Sequence, residues 1–255
     1  MDTLDAPALR ACLGPGGAMV GVQVEDTVDS TNLRLKEWAR ERRIRAPYLL
    51  AANRQTAGRG RLGRRFVSPA GGLYMSLLSP LPQGAEPGSV TLLAAVAVCR
   101  ALEEETPLRP QIKWVNDIFV KGKKVCGILA ETAEAGVVIG IGINLLTPGG
   151  GFPSEAGAAG ALDVPVDKNR LAGRIAALIL DGLKSPDDPR VLADYRERMF
   201  LTGQWVRYRK DGREKSALVT GVAADGGLMV RGSEGDEILR SGEVSLGSQF
   251  FSGLE

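Results

Sequence analysis

The chain has 255 residues, of which 44% are hydrophobic and 24% charged, and its formal net charge is +2. A chain of this length can bury a sizeable core, and it allows one large domain and a small one. The near-neutral charge restricts any nucleic-acid site to a local patch. The absence of histidine excludes histidine-based catalytic triads and histidine-bound zinc. The three cysteines, Cys12, Cys99 and Cys126, have no metal-ligand spacing.

Neither a membrane segment nor a secretion signal is expected. No apolar run approaches the roughly 18 residues that a membrane-spanning helix needs. The N-terminal segment, MDTLDAPALRACLG, is acidic and has no signal-peptide core. We therefore expect a cytoplasmic protein with no membrane partner.

The first two thirds of the chain predict a mixture of strands and helices. Residues 19–28 alternate as a strand does, and Asp29 or Ser30 offers an N-cap for a helix over 32–43. The following elements are predicted as strand 48–53, strand 73–78, helix 89–105, strand 112–120, a hairpin turn at 121–123, strand 124–131, strand 137–143, a loop rich in Gly, Ala and Pro at 148–161, helix 167–183 and helix 189–200.

The sequence pattern changes at Gly203. From there to Leu246, short alternating strands are separated by Asp-Gly turns, which is typical of a small SH3-like β-barrel. We therefore predict two domains, residues 1–202 and residues 203–255.

The segment from Gln55 to Arg65, QTAGRGRLGRR, carries the strongest local signal. Residues 53–68 hold five arginines and no acid. Glycine lets backbone N–H groups approach an anion, and arginine binds carboxylate or phosphate with two parallel hydrogen bonds. The segment lies between two predicted strands and lacks the GK[ST] of a P-loop. The composition fits an anion-holding loop in an active site, and it also fits an RNA-contacting loop.

Two predicted strands form a hairpin that carries polar groups. Lys113, Asn116 and Asp117 are expected on one strand, and Lys124 lies just after the turn on the next. Because paired strands lie side by side, these groups can converge. Asp117 could help to hold a metal ion and Lys124 could contact phosphate. The alternative is an edge hairpin with exposed charges.

Two shorter motifs complete the set. Gly140 to Asn144, GIGIN, places small residues in an apolar strand, which allows close approach of a ligand or of another backbone. Asn144 can donate and accept hydrogen bonds, as adenine recognition requires. The DSTN segment at 29–32 fits a helix cap, and its hydroxyls could also face a polar ligand ring.

Taken together, these segments resemble the biotin protein ligase family, the biotin–[acetyl-CoA carboxylase] ligases. The matching pieces are DSTN (29–32), QTAGRGRLGR (55–64), KWVND (113–117), KVCGILAE (124–131) and GIGIN (140–144). The chain departs from the family pattern at Val115, where the family usually has proline, and at Phe66, where it usually has tryptophan.

The resemblance implies a fold and a reaction. The implied fold class is α+β: a mixed β-sheet catalytic domain packed by helices, of the class II synthetase-like biotin–lipoate ligase fold, with a small SH3-like C-terminal barrel. The implied substrates are ATP, used with Mg²⁺, and biotin. Biotinyl-5′-AMP would form first, and a lysine of a biotin carboxyl carrier protein, from acetyl-CoA carboxylase or another biotin enzyme, would then take the biotin.

The resemblance also bears on assembly and on DNA. About 20 residues precede the first predicted strand, too few for the winged-helix domain of some family members. We therefore expect a ligase that does not bind DNA, as a monomer or a homodimer.

Site residues follow from the resemblance position by position. The implied catalytic residues are Lys124, Arg59 and Asp117. The implied biotin-binding residues are Ser30, Thr31, Asn32, Gln55, Gly58, Arg59, Gly60, Arg61, Lys124 and Gly127. The implied ATP-binding residues are Arg59, Arg61, Arg64, Lys113, Asn116, Lys124 and Asn144. Asp117 could orient Lys124, hold Mg²⁺ or accept a proton from the incoming lysine, and Arg54 and Arg65 are expected to be solvated flanks.

Two other functions remain open at this point. A lipoate–protein ligase would share the fold and the acyl-adenylate chemistry, but its RRxSGGGxVxHD-type segment is absent from this chain. An RNA-binding protein using the arginine loop and the barrel would bind with a steep salt dependence and would not turn over ATP.

Overall fold

The computed structural model describes residues 3–82, 87–186, 188–240 and 242–246. It begins with a short helix, α1 (Ala6–Ala11), whose N-cap Asp5 accepts a hydrogen bond from the backbone N–H of Ala8. A 3₁₀ segment, Gly14–Met19, follows. The sequence patterns did not predict either element.

A seven-stranded mixed sheet forms the centre of the larger part. Its strands are β1 (Gly21–Val28), β2 (Tyr48–Gln55), β3 (Leu73–Ser79), β4 (Gln111–Lys113), β5 (Asp117–Val120), β6 (Lys123–Ala133) and β7 (Gly136–Ile143). They are arranged in the order β1-β2-β3-β7-β6-β5-β4. The pair β1 and β2 is parallel, and the other neighbours are antiparallel.

Helices cover both faces of this sheet. They are α2 (Thr31–Arg40), α3 (Pro87–Glu105), α4 (Lys168–Gly182) and α5 (Pro189–Arg198). On β2, Leu50 packs in a small cluster with Leu35 of α2, whereas Leu49 and Ala51 belong to the main core with α3 and α4. Because successive strand residues point to opposite faces, α2 covers one face and α3 with α4 the other. None of the helices in the described ranges is long and apolar enough to cross a bilayer.

The structure corrects one predicted strand. Residues 112–120 do not form a single strand, because the chain turns at 114–116 and β4 pairs with β5 as an antiparallel hairpin. Lys113 therefore ends β4 and lies opposite Asp117, which begins β5. The peptide bond between Trp114 and Val115 is cis. The prediction that Lys113, Asn116 and Asp117 share one strand is wrong, but the hairpin still brings them together.

The C-terminal part is a second, five-stranded antiparallel sheet. Its strands are β8 (Trp205–Lys210), β9 (Arg213–Val222), β10 (Leu228–Gly232), β11 (Gly235–Leu239) and β12 (Val244–Leu246), in the order β11-β10-β9-β8-β12. Alternate residues such as Val206 and Tyr208 face inward and are buried. The predicted fold class is confirmed, whereas the division at residue 202 stays a prediction and its last nine residues, 247–255, lie outside the described residues.

Candidate active site

The predicted site residues meet around one cavity of about 570 Å³, a size ordinary for a small-molecule site. Among them, the residues that line the cavity are Ser30, Thr31, Asn32, Gln55, Arg59, Gly60, Arg61, Arg64, Lys113, Asn116, Asp117, Lys124, Gly127 and Asn144. Arg65, expected to be a solvated flank, lines it as well. Gly58 is the one predicted site residue that does not line the cavity. The cavity therefore brings together nearly all of the predicted site residues.

The start of α2 forms a polar end of the cavity. Ser30 is the N-cap, and its hydroxyl accepts a hydrogen bond from the backbone N–H of Leu33 at 3.5 Å. Asp29 holds this turn by accepting from the backbone N–H of Ser30 at 2.7 Å. The Gln55 side chain, at the end of β2, accepts from the backbone N–H of Thr31 at 2.8 Å. The two predicted motifs at 29–32 and 55–65 therefore meet in space.

The arginine loop folds back on itself as a tight hairpin. The backbone N–H of Phe66 donates to the carbonyl of Gly58 at 2.9 Å, and that of Gly60 donates to the carbonyl of Arg64 at 2.7 Å. Gly58 is needed for this closure, because a Cβ there would lie 2.4 Å from the Phe66 carbonyl oxygen. At the tip Leu62 has φ 56° and its side chain is 72% exposed.

Phe66 lies over two strands of the sheet. A Cβ at Gly127 would lie 3.0 Å from the Phe66 ring, and one at Gly142 would lie 2.5 Å from it. A side chain at Gly142 would force the ring to move, and one at Gly127 would be tight against it. The aromatic residue that departs from the family's tryptophan thus anchors the arginine loop against β6 and β7.

Lys124 and Asp117 form the charged centre of the cavity. Nζ of Lys124 lies 2.7 Å from Oδ1 of Asp117, and the two side chains are 31% and 18% exposed. At this distance the ammonium group and the carboxylate form an ion pair. Burial lowers the pKa of the nearby Lys113, and Asp117 and Glu243 offset part of that effect.

Two asparagines connect the loop, the hairpin and the strand ends. Arg61 donates to Oδ1 of Asn116 at 3.3 Å, and Nδ2 of Asn116 donates to the carbonyl of Ile128 at 2.8 Å. Nδ2 of Asn144 donates to the carbonyl of Gly160 at 2.9 Å. Oδ1 of Asn144 is buried and has no hydrogen-bond partner among the described residues, so it is an acceptor available to a ligand.

Metal binding by protein side chains alone has little support. Within the described ranges no group of three or more His, Cys, Asp or Glu side chains is placed to hold a metal ion. Magnesium, however, is usually held by one or two carboxylates together with substrate phosphates and water. Asp117 is a carboxylate that lines the cavity and fits that lesser requirement, with its Oδ1 already paired with Nζ of Lys124 at 2.7 Å.

Several cavity residues were not predicted. The loop at 148–161 contributes Phe152 and Pro153, and it is tied to β6 where the backbone N–H of Lys124 donates to the carbonyl of Ala158 at 2.8 Å. Glu243, which directly precedes β12 of the C-terminal sheet, also lines the cavity and pairs with Arg64 at 2.5 Å. No sequence motif identifies Phe152, Pro153 or Glu243 as cavity residues. The Gly, Ala and Pro after the GIGIN strand indicated a loop, but not that the loop lines the site.

Family comparisons agree with this geometry. Residues 24–145 match the model of the Biotin/lipoate A/B protein ligase family, and residues 202–247 match that of the Biotin protein ligase C terminal domain. The bifunctional ligase/repressor BirA of Bacillus subtilis is 46% identical over 115 residues, which are 42% of this chain and 35% of that protein. The chain thus spans about a third of that relative's length.

Other relatives match over most of their length. The biotin–[acetyl-CoA-carboxylase] ligase of Mycobacterium tuberculosis is 33% identical over 239 residues, covering 87% of this chain and 86% of the relative. The structure of the Aquifex aeolicus biotin protein ligase in complex with biotin and ATP superposes with a TM-score of 0.78 at 30% identity, covering 89% of this chain and 98% of that one. The chain belongs to the biotin/lipoate A/B protein ligase family, and within it to the biotin protein ligases.

Proposed function

We propose that this protein attaches biotin to a lysine of a biotin carboxyl carrier protein at the expense of ATP. In the first step a biotin carboxylate oxygen attacks the α-phosphorus of ATP, and pyrophosphate leaves. In the second step the lysine amine attacks the acyl carbon of biotinyl-5′-AMP, an amide forms and AMP leaves. The observation that carries this proposal is that cationic groups from the arginine loop, the β4–β5 hairpin and β6 line the same cavity as the polar end at Ser30 and Gln55.

Charge is the main physical problem of the first step. Two anions must approach each other, and Arg59, Arg61, Lys113 and Lys124 supply the positive charge that offsets their repulsion. The carboxylate is already ionised at neutral pH and acts as the nucleophile without a base. A chain without histidine is therefore adequate for this chemistry.

We assign roles within the cavity from the family pattern together with the contacts. We assign Ser30, Thr31, Gln55 and Gly127 to the ring system of biotin. Asn32 already donates to Leu129 and Glu131, so we assign it to holding this end of the site in place. Gly58 closes the loop.

The charged half of the cavity is assigned to the reacting groups. Arg59, Gly60 and Arg61 lie over the carboxylate and the phosphates, and Lys124 contacts oxygens of both. Arg64 and Lys113 add positive charge. Asn116 and Asn144 serve the nucleotide, for which the unpaired Oδ1 of Asn144 is an acceptor suited to the adenine amino group.

Asp117 acts on Lys124 in this proposal. Its carboxylate lies 2.7 Å from Nζ and aims the ammonium group into the cavity. Magnesium bound with ATP would be held by Asp117 and the substrate phosphates, and it would neutralise negative charge there.

Lys124→Ala tests the assignment. The variant is expected to keep its fold and to lose biotin-dependent ATP–pyrophosphate exchange by at least about a hundredfold, because an interaction made mainly with the developing charge is removed. Lys121→Ala, an exposed lysine of the β5–β6 turn, is the matched control and should exchange normally. Normal exchange by Lys124→Ala would show that the lysine is misassigned.

The complete reaction is tested with the protein, ATP, Mg²⁺, radiolabelled biotin and a carrier domain. Label should appear on the carrier and depend on both ATP and biotin. Absence of transfer by a protein that still forms biotinyl-5′-AMP would contradict the carrier as acceptor. The cytoplasmic location, the monomeric or dimeric state and the absence of DNA binding stay predictions.

A further inference from the structure

A buried serine that belongs to none of the sequence motifs lies beneath the polar end of the cavity. Ser76, on β3, has no exposed surface. Its Oγ lies 2.6 Å from Oδ1 of Asn32 and 2.7 Å from Oγ1 of Thr31. Thr31 and Asn32 line the cavity, whereas Ser76 lies behind them. The serine is therefore placed to act on a ligand only through its neighbours.

The hydrogen-bond directions are fixed at the Asn32 side. Nδ2 of Asn32 donates to the carbonyl of Leu129 at 3.2 Å and to Oε2 of Glu131 at 3.0 Å. Both partners are acceptors, so Oδ1 must be the amide atom that faces Ser76. An amide oxygen only accepts. The single hydroxyl proton of Ser76 is therefore committed to Asn32.

The directions are also fixed at the Gln55 side. Oε1 of Gln55 accepts from the backbone N–H of Thr31 at 2.8 Å, so Nε2 faces Oγ of Ser68 at 3.0 Å. The proton of Ser68 is committed to the carbonyl of Phe66 at 3.0 Å. The chain of polar groups is thus oriented at both ends by backbone atoms, which cannot exchange donor and acceptor roles.

These constraints decide the orientation of the Thr31 hydroxyl. Among the described residues its proton has two acceptors, Oγ of Ser76 at 2.7 Å and Oε1 of Gln55 at 3.1 Å. Since the Ser76 proton is already used, the closer of these contacts requires Thr31 to be the donor. Thr31 then presents lone pairs to the cavity, while the second N–H of Gln55 has no acceptor in the part of the chain that the structure describes and stays available as a donor.

We propose that Ser76 is a positioning residue that makes Thr31 a hydrogen-bond acceptor for a ureido N–H of biotin. This inference rests on the proposed function. A ureido ring carries N–H donors on both sides of a carbonyl, which complements an acceptor at Thr31 beside a donor at Gln55. A ring with oxygen in place of that N–H would set lone pairs against lone pairs and leave buried acceptors unsatisfied. Ser76 therefore contributes to ligand specificity without touching the ligand, since without it the Thr31 proton keeps only the longer contact with Oε1 of Gln55 at 3.1 Å.

Ligand discrimination is the property to measure. We would determine by calorimetry the affinity of the wild type for biotin and for two analogues, each with one ureido N–H replaced by a ring oxygen. The wild type should bind one analogue more weakly by on the order of tenfold to a hundredfold. In Ser76→Ala this preference should shrink several-fold and biotin affinity should fall, while the KM for ATP stays unchanged.

A matched control is available on the same strand. Ser79 is also buried, and its hydroxyl donates to the adjacent carbonyl of Pro80 at 3.3 Å, its one hydrogen-bond acceptor among the described residues. Ser79→Ala removes an equal volume and should keep the wild-type preference for biotin. A thermal melt of each variant separates loss of fold from loss of discrimination.

A double-mutant cycle tests whether Ser76 affects biotin binding through Thr31. Thr31→Val removes the acceptor itself, so adding Ser76→Ala to it should cause no further loss of biotin affinity. Additive losses, or an unchanged preference in Ser76→Ala, would overturn the inference. Failure of the wild type to bind biotin at all would contradict the proposed function instead, which keeps the two conclusions separate.

Discussion

The Phe66 ring occupies the space that a side chain at Gly142 would need. Gly142→Ala would bring a Cβ to 2.5 Å from the ring, so the ring must move, and the arginine loop that it anchors must move with it. Because misplacement by about 1 Å can cost on the order of a hundredfold in rate, we expect biotin-dependent exchange to fall by about tenfold to a hundredfold. Steady-state ATP–pyrophosphate exchange measures this effect.

The control for this substitution is Gly149→Ala. No atom lies within 4 Å of a Cβ placed at Gly149, so the same chemical change there should leave exchange at the wild-type rate. Equal rates in the two variants would mean that the position of Phe66 does not matter for catalysis.

Residue types alone identified most of the candidate site, because anion chemistry needs particular side chains. Arginine, lysine and asparagine in short motifs mark the groups that now line one cavity. Glu243 could not be found in this way, since a single glutamate just before a barrel strand looks like any solvated charge. Ser76 could not be found either, because its role depends on which groups lie opposite it.

Apart from the packing of Phe66, the arginine loop makes few contacts with other elements in the described part of the chain. Its tip is exposed at Leu62, and its outward contacts include the hydrogen bond from Arg61 to Asn116 and the ion pair between Arg64 and Glu243. A loop of this kind can close over a bound adenylate and exclude water from a hydrolysable anhydride. This predicts that biotin and ATP together order the loop.

Trypsin cleavage measures this ordering. The bonds after Arg59, Arg61, Arg64 and Arg65 should be cut more slowly, by on the order of tenfold, when biotin and ATP are both present, because cleavage follows the population of the open loop. Cleavage after Arg213, at the start of β9 in the C-terminal sheet, should be unaffected. Equal protection with either ligand alone would argue that adenylate formation is not the trigger.

The elements with strong periodicity or capping signals were predictable, and the failures have physical reasons. The helix predicted over 167–183 is α4, and Asp167 is its N-cap, with a side chain that accepts from two backbone N–H groups. The β4–β5 hairpin was missed because Trp114 and Val115 have high strand propensity, and tertiary contacts decide the turn there. Tyr195 on α5, for example, donates to the carbonyl of Val115 at 3.1 Å, a contact that no local pattern contains.

Across the whole molecule, hydrogen bonds connect the C-terminal sheet to elements close to the candidate site. Arg196 on α5 donates to the carbonyl of Val222 at 2.9 Å. Trp114, in the turn of the β4–β5 hairpin, donates from Nε1 to the carbonyl of Gly226 at 2.9 Å, and this bond is buried. The turn that carries Asn116 is thus held from the side of the barrel, so the barrel supports the half of the cavity that we propose for ATP.

Trp114→Phe tests that support. The substitution keeps an aromatic ring but leaves the buried carbonyl of Gly226 without its donor, which should lower the free energy of unfolding by about 1–3 kcal/mol. Because Trp114 also lines the cavity, the KM for ATP should rise while biotin affinity changes little. Urea unfolding followed by circular dichroism and steady-state kinetics measure the two effects. Trp205→Phe is the control, since Trp205 is 62% exposed on the barrel surface and its loss should change neither quantity. If Trp114→Phe matched this control in stability and in KM, the barrel would be an attached domain without influence on the site.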